Sequence, residues 1–312
     1  MNALIIGGSG GLSSVVARKA MEKYRVWTVT RGHAPLPEGV DPLIADRNDI
    51  TGLKEALRSA GVKWDAVFDC ICMSKEHAEA DLSILPEFTN RLIVVSTDSV
   101  YDGAKKKIPE DENGVCVHET GDTKDCTYAG SKRRMEEVFL KEMRSDDPRL
   151  DITIFRPGHI YGPGFLLDCF PEHSRQKELP ELILNEEPIR LVGMGVYIIQ
   201  PIYVDDLADT MIDCAENHKT YGEIFCIGGP DAIENKTYYE VIAKLLGKKL
   251  NIKEIPLEGY LDKHPEYSGH LCHRIYDLSK LLNTGVKMPK TKIEEGISNS
   301  LRSMGYLKWE HL

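Results

Sequence analysis

Short apolar runs alternate with segments of helical periodicity through the first half of the chain. The predicted strands are 2–6, 25–30, 42–45, 64–71, 91–97 and 151–155, and the predicted helices are 11–23, 50–60 and 127–144. Strands that are apolar on both faces and separated by helices are typical of a parallel sheet covered on both sides. Because crossover connections are right-handed, the pattern predicts an α/β, doubly wound fold.

The second half of the chain is less regular. A break rich in glycine and proline at 158–164 marks a boundary. After it the pattern predicts helices at 179–185, 204–216, 237–246 and 291–303, and strands at 190–192 and 223–227. The long polar segments 102–125 and 256–276 are predicted to be loops, which at this length usually carry function or move.

Size and charge limit the classes of partner. The chain has 312 residues, 42% of them hydrophobic, and a formal net charge of −10. A chain of this size buries roughly 75% of its unfolded surface, so it needs no disulfide or metal to fold. Its acidity disfavours nucleic acid and anionic membranes as partners. No apolar stretch reaches 18 residues and no signal peptide is recognisable, so we expect a cytoplasmic protein without a membrane span.

The basic run and the cysteines of the sequence do not indicate a binding site. The basic run Lys105–Lys107 is followed by Glu110, Asp111 and Glu112, which is typical of a solvated loop. Eight cysteines are scattered without any CxxC spacing, so no metal site is predicted and reduced, buried thiols are expected. The cysteines are Cys70, Cys72, Cys116, Cys126, Cys169, Cys214, Cys226 and Cys272.

A glycine-rich stretch joins the first strand to the first helix. Gly7 and Gly10 permit a tight turn and a close backbone approach, and Ser9, Gly11 and Leu12 complete the segment before Ser13. The helix that begins here presents free N–H groups, which suit the pyrophosphate of a dinucleotide. The position between strand and helix is the one that this fingerprint requires, so we predict a dinucleotide site.

The residues after the second and third strands bear on which dinucleotide binds. Arg31 follows the second strand, at the place where an acidic residue would bind the adenosine ribose of NAD. A guanidinium can instead pair with a 2′-phosphate, so we expect NADP(H), with NAD(H) as the alternative. Arg31 could equally stack on adenine. The pair Asp46-Arg47 after the third strand can be explained as a loop salt bridge.

Candidate acid–base residues follow the fifth strand. Thr97, Asp98 and Ser99 come at its carboxyl end, which faces the ligand crevice in a parallel sheet. Tyr128 and Lys132 follow on a predicted helix, where residues four apart share a face. An ammonium beside a phenol lowers the pKa of the tyrosine, which suits a general acid or base, and a threonine hydroxyl can bind the same substrate oxygen.

The Tyr-x-x-x-Lys spacing occurs three times in the chain. The other two instances are Tyr101/Lys105, which straddles a turn signal, and Tyr276/Lys280, which has no glycine-rich turn or strand-end hydroxyl before it. Both pairs are predicted to be surface residues. Only Tyr128/Lys132 has the upstream hydroxyls and a full helix.

Taken in order, these residues resemble the extended short-chain dehydrogenase/reductases, the NAD-dependent epimerase/dehydratase group. The landmarks are Gly7–Ser13, Asp46, Ser96–Tyr101, Tyr128–Lys132, Arg156–Gly164 and Val204–Ala208. The resemblance implies that Thr97, Tyr128 and Lys132 are catalytic. It also implies that Lys132 holds the nicotinamide ribose and Asp46 contacts adenine.

The resemblance also implies an architecture and further contacts. We expect a Rossmann-type cofactor domain at 1–162 plus 198–228, a smaller, mostly C-terminal substrate domain at 163–197 plus 229–312, and a homodimer. Further cofactor contacts are expected from Arg47, Cys70, Ile71, Pro157 and His159. Asp98 joins the expected catalytic set, and the expected substrate contacts are Thr97, Ser99, His159, Arg190 and Gln200.

Several departures from the family pattern bear on the reaction. Ile199-Gln200-Pro201 stands where many sugar-nucleotide members carry the arginine that grips the substrate diphosphate; Arg190 or Arg274 could substitute. Ser99 replaces the glutamate that 4,6-dehydratases use as a base. The segment 96–103 is similar to that of dTDP-4-dehydrorhamnose reductases, which favours simple reduction.

The leading hypothesis is therefore an NAD(P)-dependent oxidoreductase or epimerase acting on a hydroxyl or keto group of a sugar-derived small molecule. Hydride would pass between the nicotinamide and a carbon whose oxygen is held by Thr97 and protonated by Tyr128. The alternatives are a nucleotide-sugar dehydratase and a non-catalytic NAD(P) sensor on the same fold.

Overall fold

The computed structural model describes residues 1–118, 127–168 and 171–309. Its strands are β1 (Asn2–Ile6), β2 (Arg25–Thr30), β3 (Asp41–Ile44), β4 (Ala66–Asp69), β5 (Arg91–Val95), β6 (Asp151–Pro157), β7 (Ile160–Tyr161), β8 (Ile189–Val192), β9 (Ile198–Ile199), β10 (Ile202–Tyr203), β11 (Glu223–Ile227), β12 (Ile233–Glu234) and β13 (Ile252–Ile255). Its helices are α1 (Gly11–Ala20), α2 (Ile50–Ser59), α3 (Lys75–Ile84), α4 (Tyr128–Met143), α5 (Leu179–Leu184), α6 (Val204–Cys214), α7 (Asn235–Leu245), α8 (Tyr260–Lys263), α9 (Ser279–Leu282) and α10 (Ile293–Ser303).

Seven strands form one parallel sheet in the order β11-β6-β5-β4-β1-β2-β3. The order reverses at β1, as in a doubly wound sheet. The predicted fold class is therefore confirmed. Three two-stranded pairs lie outside the sheet: β7 with β10, β8 with β13, and β9 with β12.

Helices cover both faces of the sheet, and each face has its own apolar core. One core packs α1 and α6 against the sheet, and the other packs α2, α3 and α4 against it. The central strands are buried throughout; β5, for example, is buried at every position. Burial on both faces explains why these strands are continuous apolar runs in the sequence.

The helix α3 was not predicted, although it covers the sheet beside α4. Its buried face includes Asp81, which interrupts the apolar periodicity that would have identified a helix. Ser74 accepts a hydrogen bond from the amide of His77 and so caps the helix N-terminus. The buried carboxyl of Asp81 therefore disrupts the apolar pattern from which this helix would be predicted.

A third apolar cluster lies among the later elements of the chain. It contains buried aromatic and aliphatic side chains such as Tyr161, Tyr203, Tyr238 and Ile297. The division into a cofactor domain and a substrate domain at the boundaries given above stays a prediction. In the part of the chain that the structure describes, no helix combines the length and the apolar character needed to cross a bilayer.

Gly8 is a position where the fold requires glycine. Its φ is +106°, and a Cβ there would lie 2.7 Å from the side chain of Thr28. We expect Gly8→Ala to lower the free energy of unfolding by about 2–4 kcal/mol, because backbone strain and overpacking add. Urea unfolding followed by circular dichroism measures the change.

Gly61 provides the matched control for this substitution. It also has a positive φ, +63°, but a Cβ there would meet no atom within 4 Å. Gly61→Ala should therefore cost only about 1 kcal/mol. Equal losses in the two variants would contradict the steric argument at Gly8.

Candidate active site

The predicted site residues lie just beyond the carboxyl ends of the parallel strands. Gly7 follows β1, Arg31 follows β2, Cys70 follows β4 and Ser96 follows β5. His159 comes shortly after β6. Because the carboxyl ends of parallel strands meet at one edge, the topology brings these segments to a common crevice.

The glycine-rich turn leaves space at the start of α1. Ser9 and Gly10 are exposed, and a Cβ on Gly10 would approach only the Ser13 hydroxyl, at 3.4 Å. The first hydrogen bond within the helix runs from the amide of Ser14 to the carbonyl of Gly10. The earlier amides, those of Gly11 and Leu12, therefore have no partner within α1. An open cradle with free donors fits a dinucleotide pyrophosphate.

Gly11 packs against a later part of the chain. A Cβ on Gly11 would lie 2.8 Å from the ring of Phe165 and 3.2 Å from the carbonyl oxygen of Gly164. The segment after β7 therefore lies directly against the glycine-rich turn. Glycine is needed here for close approach of two backbones rather than for an unusual φ.

Arg31 and Asp46 lie at the exposed end of the crevice. Both residues are exposed. The carboxylate of Asp46 accepts hydrogen bonds from the amide and the side chain of Asn48, each at 2.9 Å. The pKa of Asp46 is lowered, chiefly by the bond from the Asn48 amide and further by the charge of Arg31. An ionised Asp46 and a charged Arg31 thus stand together where adenosine is expected.

Arg47 takes part in a buried network rather than in the loop salt bridge with Asp46. Its guanidinium donates to Asp69 at 2.7 Å and to Asp81 at 3.1 Å. Burial and the negative charge of Asp69 raise the pKa of Asp81 well above its usual value, while Arg47 helps to lower that of Asp69. These shifts favour a proton on Asp81 and an ionised Asp69. A cofactor contact from Arg47 stays a prediction.

Metal binding is the alternative use of this cluster. Potential ligand atoms of Asp69, Cys72 and Asp81 lie within 4.8 Å of one another. Arg47 already supplies a positive charge to both carboxylates. Desolvation raises the pKa of the Cys72 thiol, which opposes the thiolate that a metal requires. The cluster is therefore explained as a structural ion-pair network.

Tyr128 begins α4 and contacts Thr97. Desolvation raises the pKa of the phenol, the neighbouring Thr97 side chain lowers it and the charge of Asp98 raises it, so that the pKa is raised overall. The residue is nevertheless 57% exposed. The strand-end hydroxyl and the tyrosine thus lie close to each other, and their catalytic roles stay predictions.

Lys132 lies one turn further along α4 and is buried. Its ammonium donates to the carbonyl of Cys72 at 2.7 Å and to that of Val95 at 2.9 Å. It is not among the charges that act on the Tyr128 phenol. The pKa of Tyr128 is raised here rather than lowered, and the expected action of Lys132 on the phenol stays a prediction.

Asp98 is the centre of a second buried ion-pair network. The guanidinium of Arg274 donates to both of its carboxylate oxygens, at 2.6 and 2.8 Å, and the Tyr276 hydroxyl donates to one of them. Burial opposes ionisation, but Arg274 and Lys106 lower the pKa of Asp98 far below its usual value. Asp98 is therefore a carboxylate with its acceptor sites occupied.

Three further predicted site residues, Ser99, His159 and Gln200, make contacts within the protein. Ser99 is half-buried, with its hydroxyl 3.3 Å from that of Thr97. The ring of His159 packs edge-on against Tyr238 at 5.6 Å, and burial lowers its pKa to about 4. Gln200 is used internally, since it accepts from the Tyr276 amide and donates to Gly229.

Some predicted contacts are not tested by the geometry. Pro157 is buried, whereas Cys70 and Ile71 are partly exposed just after β4. The side chain of Arg190 is 51% exposed and lies 3.5 Å from Glu172. Roles in binding for these residues stay predictions. Arg274 is the second candidate for binding a diphosphate, but its guanidinium pairs with the carboxylate of Asp98. Cys126 and Cys169 lie outside the described residues.

Sequence reasoning missed three buried side chains in or beside the Asp98 network. Tyr101 and Tyr276, predicted to be surface residues, are only 1% and 4% exposed. The prediction of a solvated basic loop is wrong for Lys106, whose side chain is 3% exposed and 4.0 Å from Asp98. The aromatic character of Tyr101 and Tyr276 could have indicated their burial, since large aromatic side chains are usually buried.

The seven-stranded parallel sheet covered by helices on both faces defines a Rossmann-like fold. The family model described as the NAD dependent epimerase/dehydratase family matches residues 3–228, well over half of the chain. The chain belongs to that family.

Two curated relatives are similar in sequence. A UDP-glucuronate 4-epimerase of Thermodesulfobacterium geofontis is 27% identical over 221 residues, which are 70% of this chain and 61% of that protein. The chloroplast stem-loop binding protein of 41 kDa b of Arabidopsis thaliana is 26% identical over 280 residues, 85% of this chain and 67% of that protein. The chain thus matches less than two thirds of the length of the first relative.

Among solved structures, the UDP-glucose 4-epimerase of Thermotoga maritima with UDP-glucose is similar over nearly the whole chain. The TM-score is 0.78 at 20% identity, covering 98% of this chain and 99% of that one. At this identity the likeness establishes a shared fold.

The proton held by Asp81 gives a pH-dependent prediction. Its folded pKa is raised above the unfolded value of about 3.9, so it destabilises the fold increasingly as pH rises from about 4 through the folded pKa. Asp81→Asn removes this titration. We expect the difference in unfolding free energy, variant minus wild type, to increase with pH in urea melts between pH 5 and pH 8.

Asp69→Asn is the contrasting variant. The pKa of Asp69 is lowered, so its contribution is present above about 3.9 and is lost as pH falls through the folded value. Removing the anion leaves Arg47 without its main partner and should cost about 3–5 kcal/mol at pH 7. A difference between wild type and Asp81→Asn that is constant with pH would contradict the shared proton.

Proposed function

We propose that the protein is an NAD(P)-dependent oxidoreductase or epimerase acting on a hydroxyl or keto group of a sugar or nucleotide-sugar-like substrate. The observation that carries this proposal is the contact between Thr97 and the exposed phenol of Tyr128, at the carboxyl end of β5 and in the crevice opened by the glycine-rich turn. Similarity to UDP-sugar 4-epimerases supports the substrate class.

In this proposal each catalytic group has one task. The Thr97 hydroxyl donates to the substrate oxygen, and Tyr128 gives a proton to that oxygen or takes one from it. A nicotinamide bound in the crevice supplies the hydride acceptor or donor. Lys132 has three N–H donors, of which two are directed at the carbonyls of Cys72 and Val95, so the third would bind a ribose hydroxyl.

The state of Asp98 argues against the dehydratase alternative. A dehydratase needs a proton donor and a base beside the reacting carbon, and Ser99 stands where the glutamate base would be. Asp98 has a strongly lowered pKa and pairs with Arg274, so it does not supply a proton near neutral pH. We therefore propose that Asp98 is a positioning residue for Thr97 and Ser99.

The acid–base role of Tyr128 is tested by Tyr128→Phe. Losing the phenol should lower kcat by about 10²–10⁴-fold, because one positioned proton-transfer group contributes that much. Cofactor affinity should remain unchanged. Turnover is measured with UDP-glucose and UDP-glucuronate as first substrates, and cofactor binding by calorimetry.

The matched control for this substitution is Tyr24→Phe. Tyr24 precedes β2 at the amino end of the sheet, opposite the crevice, and its hydroxyl donates to Glu216. This variant should keep wild-type kcat. Wild-type turnover in Tyr128→Phe would refute the mechanism, and so would an equal loss in both variants.

We also propose that the preferred cofactor is NADP(H), with NAD(H) as the alternative. The support is Arg31, exposed after β2 and able to pair with a 2′-phosphate. In the wild type, NADPH should bind at least tenfold more tightly than NADH, which is about 1.4 kcal/mol. Arg31→Met should remove that preference in calorimetric titrations of desalted protein.

Arg25→Met serves as the control for Arg31→Met. Arg25 begins the same strand at its opposite end, where its 68% exposed side chain pairs with Asp41. It should leave the ratio of affinities unchanged. Equal or tighter binding of NADH, or a cofactor that resists removal, would contradict the proposal and favour an epimerase with resident NAD.

A non-catalytic NAD(P) sensor is the alternative of a different class. A sensor needs no contact between Thr97 and Tyr128, so that contact favours the enzyme. A homodimer and a cytoplasmic location also remain proposals. Absence of nucleic acid binding is proposed from the net charge of −10, despite the stem-loop binding relative.

A further inference from the structure

Lys106 is a nearly buried cation that the proposed mechanism does not use. Its side chain is 3% exposed, and its ammonium lies 4.0 Å from Asp98 Oδ2. It also lies 5.7 and 5.8 Å from the ring centres of Tyr101 and Tyr276. Across residues 1–118, 127–168 and 171–309, no atom accepts a hydrogen bond from it. A buried ammonium without acceptors is costly, since it carries three donors.

The charges around Lys106 do not balance. Asp98 is the carboxylate beside it, and the oxygens of Asp98 already accept from Arg274 and Tyr276. The cations Lys106 and Arg274 therefore share one anion. Glu110, on the same loop, makes no ion pair with Lys106 among the described residues: its Oε2 accepts from the amide of Lys107, and its buried Oε1 has no hydrogen-bond partner there.

The neighbouring histidines add no charge near neutral pH. Burial, reinforced by Arg274, lowers the pKa of His159 to about 4 and that of His270 to about 3. The Nε2 atom of His159 is buried, and no hydrogen-bond partner for it lies in the described parts of the chain. The cluster thus carries about one unbalanced positive charge together with an unused polar atom.

This cluster adjoins the proposed reacting centre. Asp98 Oδ1 is 3.5 Å from the Thr97 hydroxyl, and the charge of Asp98 acts on the Tyr128 phenol. A substrate oxygen bound between Thr97 and Tyr128 would bring its neighbouring substituents close to Lys106. An anionic substituent there would complete the charge balance and give the ammonium its missing acceptor.

We propose that Lys106 binds an oxyanion of the substrate, a carboxylate carried close to the reacting carbon, so that the protein prefers acidic sugars. This inference rests on the proposed function for the place of the reacting carbon. A single carboxylate matches one unbalanced positive charge, whereas a phosphate dianion exceeds it. Phosphate is the other source of the same oxyanion chemistry, and the experiment distinguishes the two.

The test compares matched acidic and neutral ligands. UDP-glucuronate and UDP-glucose differ only in a carboxylate against a hydroxymethyl group, and so do free glucuronate and glucose. Calorimetry on the protein saturated with NADP⁺ should give at least tenfold tighter binding for an acid than for its neutral partner. Lys106→Met should reduce that ratio to about one without weakening the neutral ligand.

Two further variants separate charge from folding. Lys105→Met removes the same charge from the adjacent residue, whose side chain is 63% exposed, and should keep the wild-type ratio. Lys106→Arg keeps a cation and should retain most of the preference. If Lys106→Met does not fold, the proposal is tested by Lys106→Arg, which should retain the preference for the acidic ligand, and by Lys106→Gln, which should lose it.

The outcomes are distinguishable from failure of the proposed function. A wild-type ratio near one, no binding of either acid, or an equal ratio in wild type and Lys106→Met overturns the carboxylate site. Inorganic phosphate binding more tightly than glucuronate, with loss in Lys106→Met, overturns the carboxylate assignment and gives the site to phosphate. Because these are binding measurements, they stand whether or not Tyr128→Phe affects turnover.

Discussion

The buried ion pair between Asp98 and Arg274 is the constraint on which the active site depends. Arg274 comes from the segment before α9, and Asp98 follows β5, so the pair fixes a late part of the chain to the catalytic strand end. Removing one partner of such a pair typically costs about 3–5 kcal/mol, because a buried charge is left alone. The same pairing keeps Asp98 ionised, which is consistent with the proposal that Tyr128 is the proton-transfer group beside Thr97.

The two buried ion-pair networks at this edge of the sheet differ in the sign of their excess charge. Arg47 faces two carboxyls, and the excess negative charge is removed by a proton on Asp81. Asp98 faces two cations, Arg274 and Lys106, and a proton cannot correct an excess of positive charge on groups that are already protonated. The first network can therefore be neutralised by a proton within the protein, whereas the proposed ligand of the second is an anion from outside.

The sequence predicted the parts of the molecule that local pattern controls. Continuous apolar strands gave the parallel sheet, and the glycine-rich turn and strand-end hydroxyl gave the position of the crevice. It failed where tertiary contacts decide: the buried Asp81 hid α3, and the residues around Asp98 come from segments far apart in the chain. Charge and spacing alone made Lys106 and Tyr276 look like surface residues, because ion pairing with Asp98 is invisible without the fold.

The raised pKa of Tyr128 bears on the direction of the reaction. A phenol that keeps its proton near neutral pH is ready to protonate an alkoxide, which is the step that accompanies reduction of a keto group. Oxidation of a hydroxyl needs the phenolate, so a positive charge must first come near the phenol. Lys132 does not provide that charge, because its ammonium is held by the carbonyls of Cys72 and Val95. An anionic substrate would raise the pKa of Tyr128 further unless Lys106 balanced its charge.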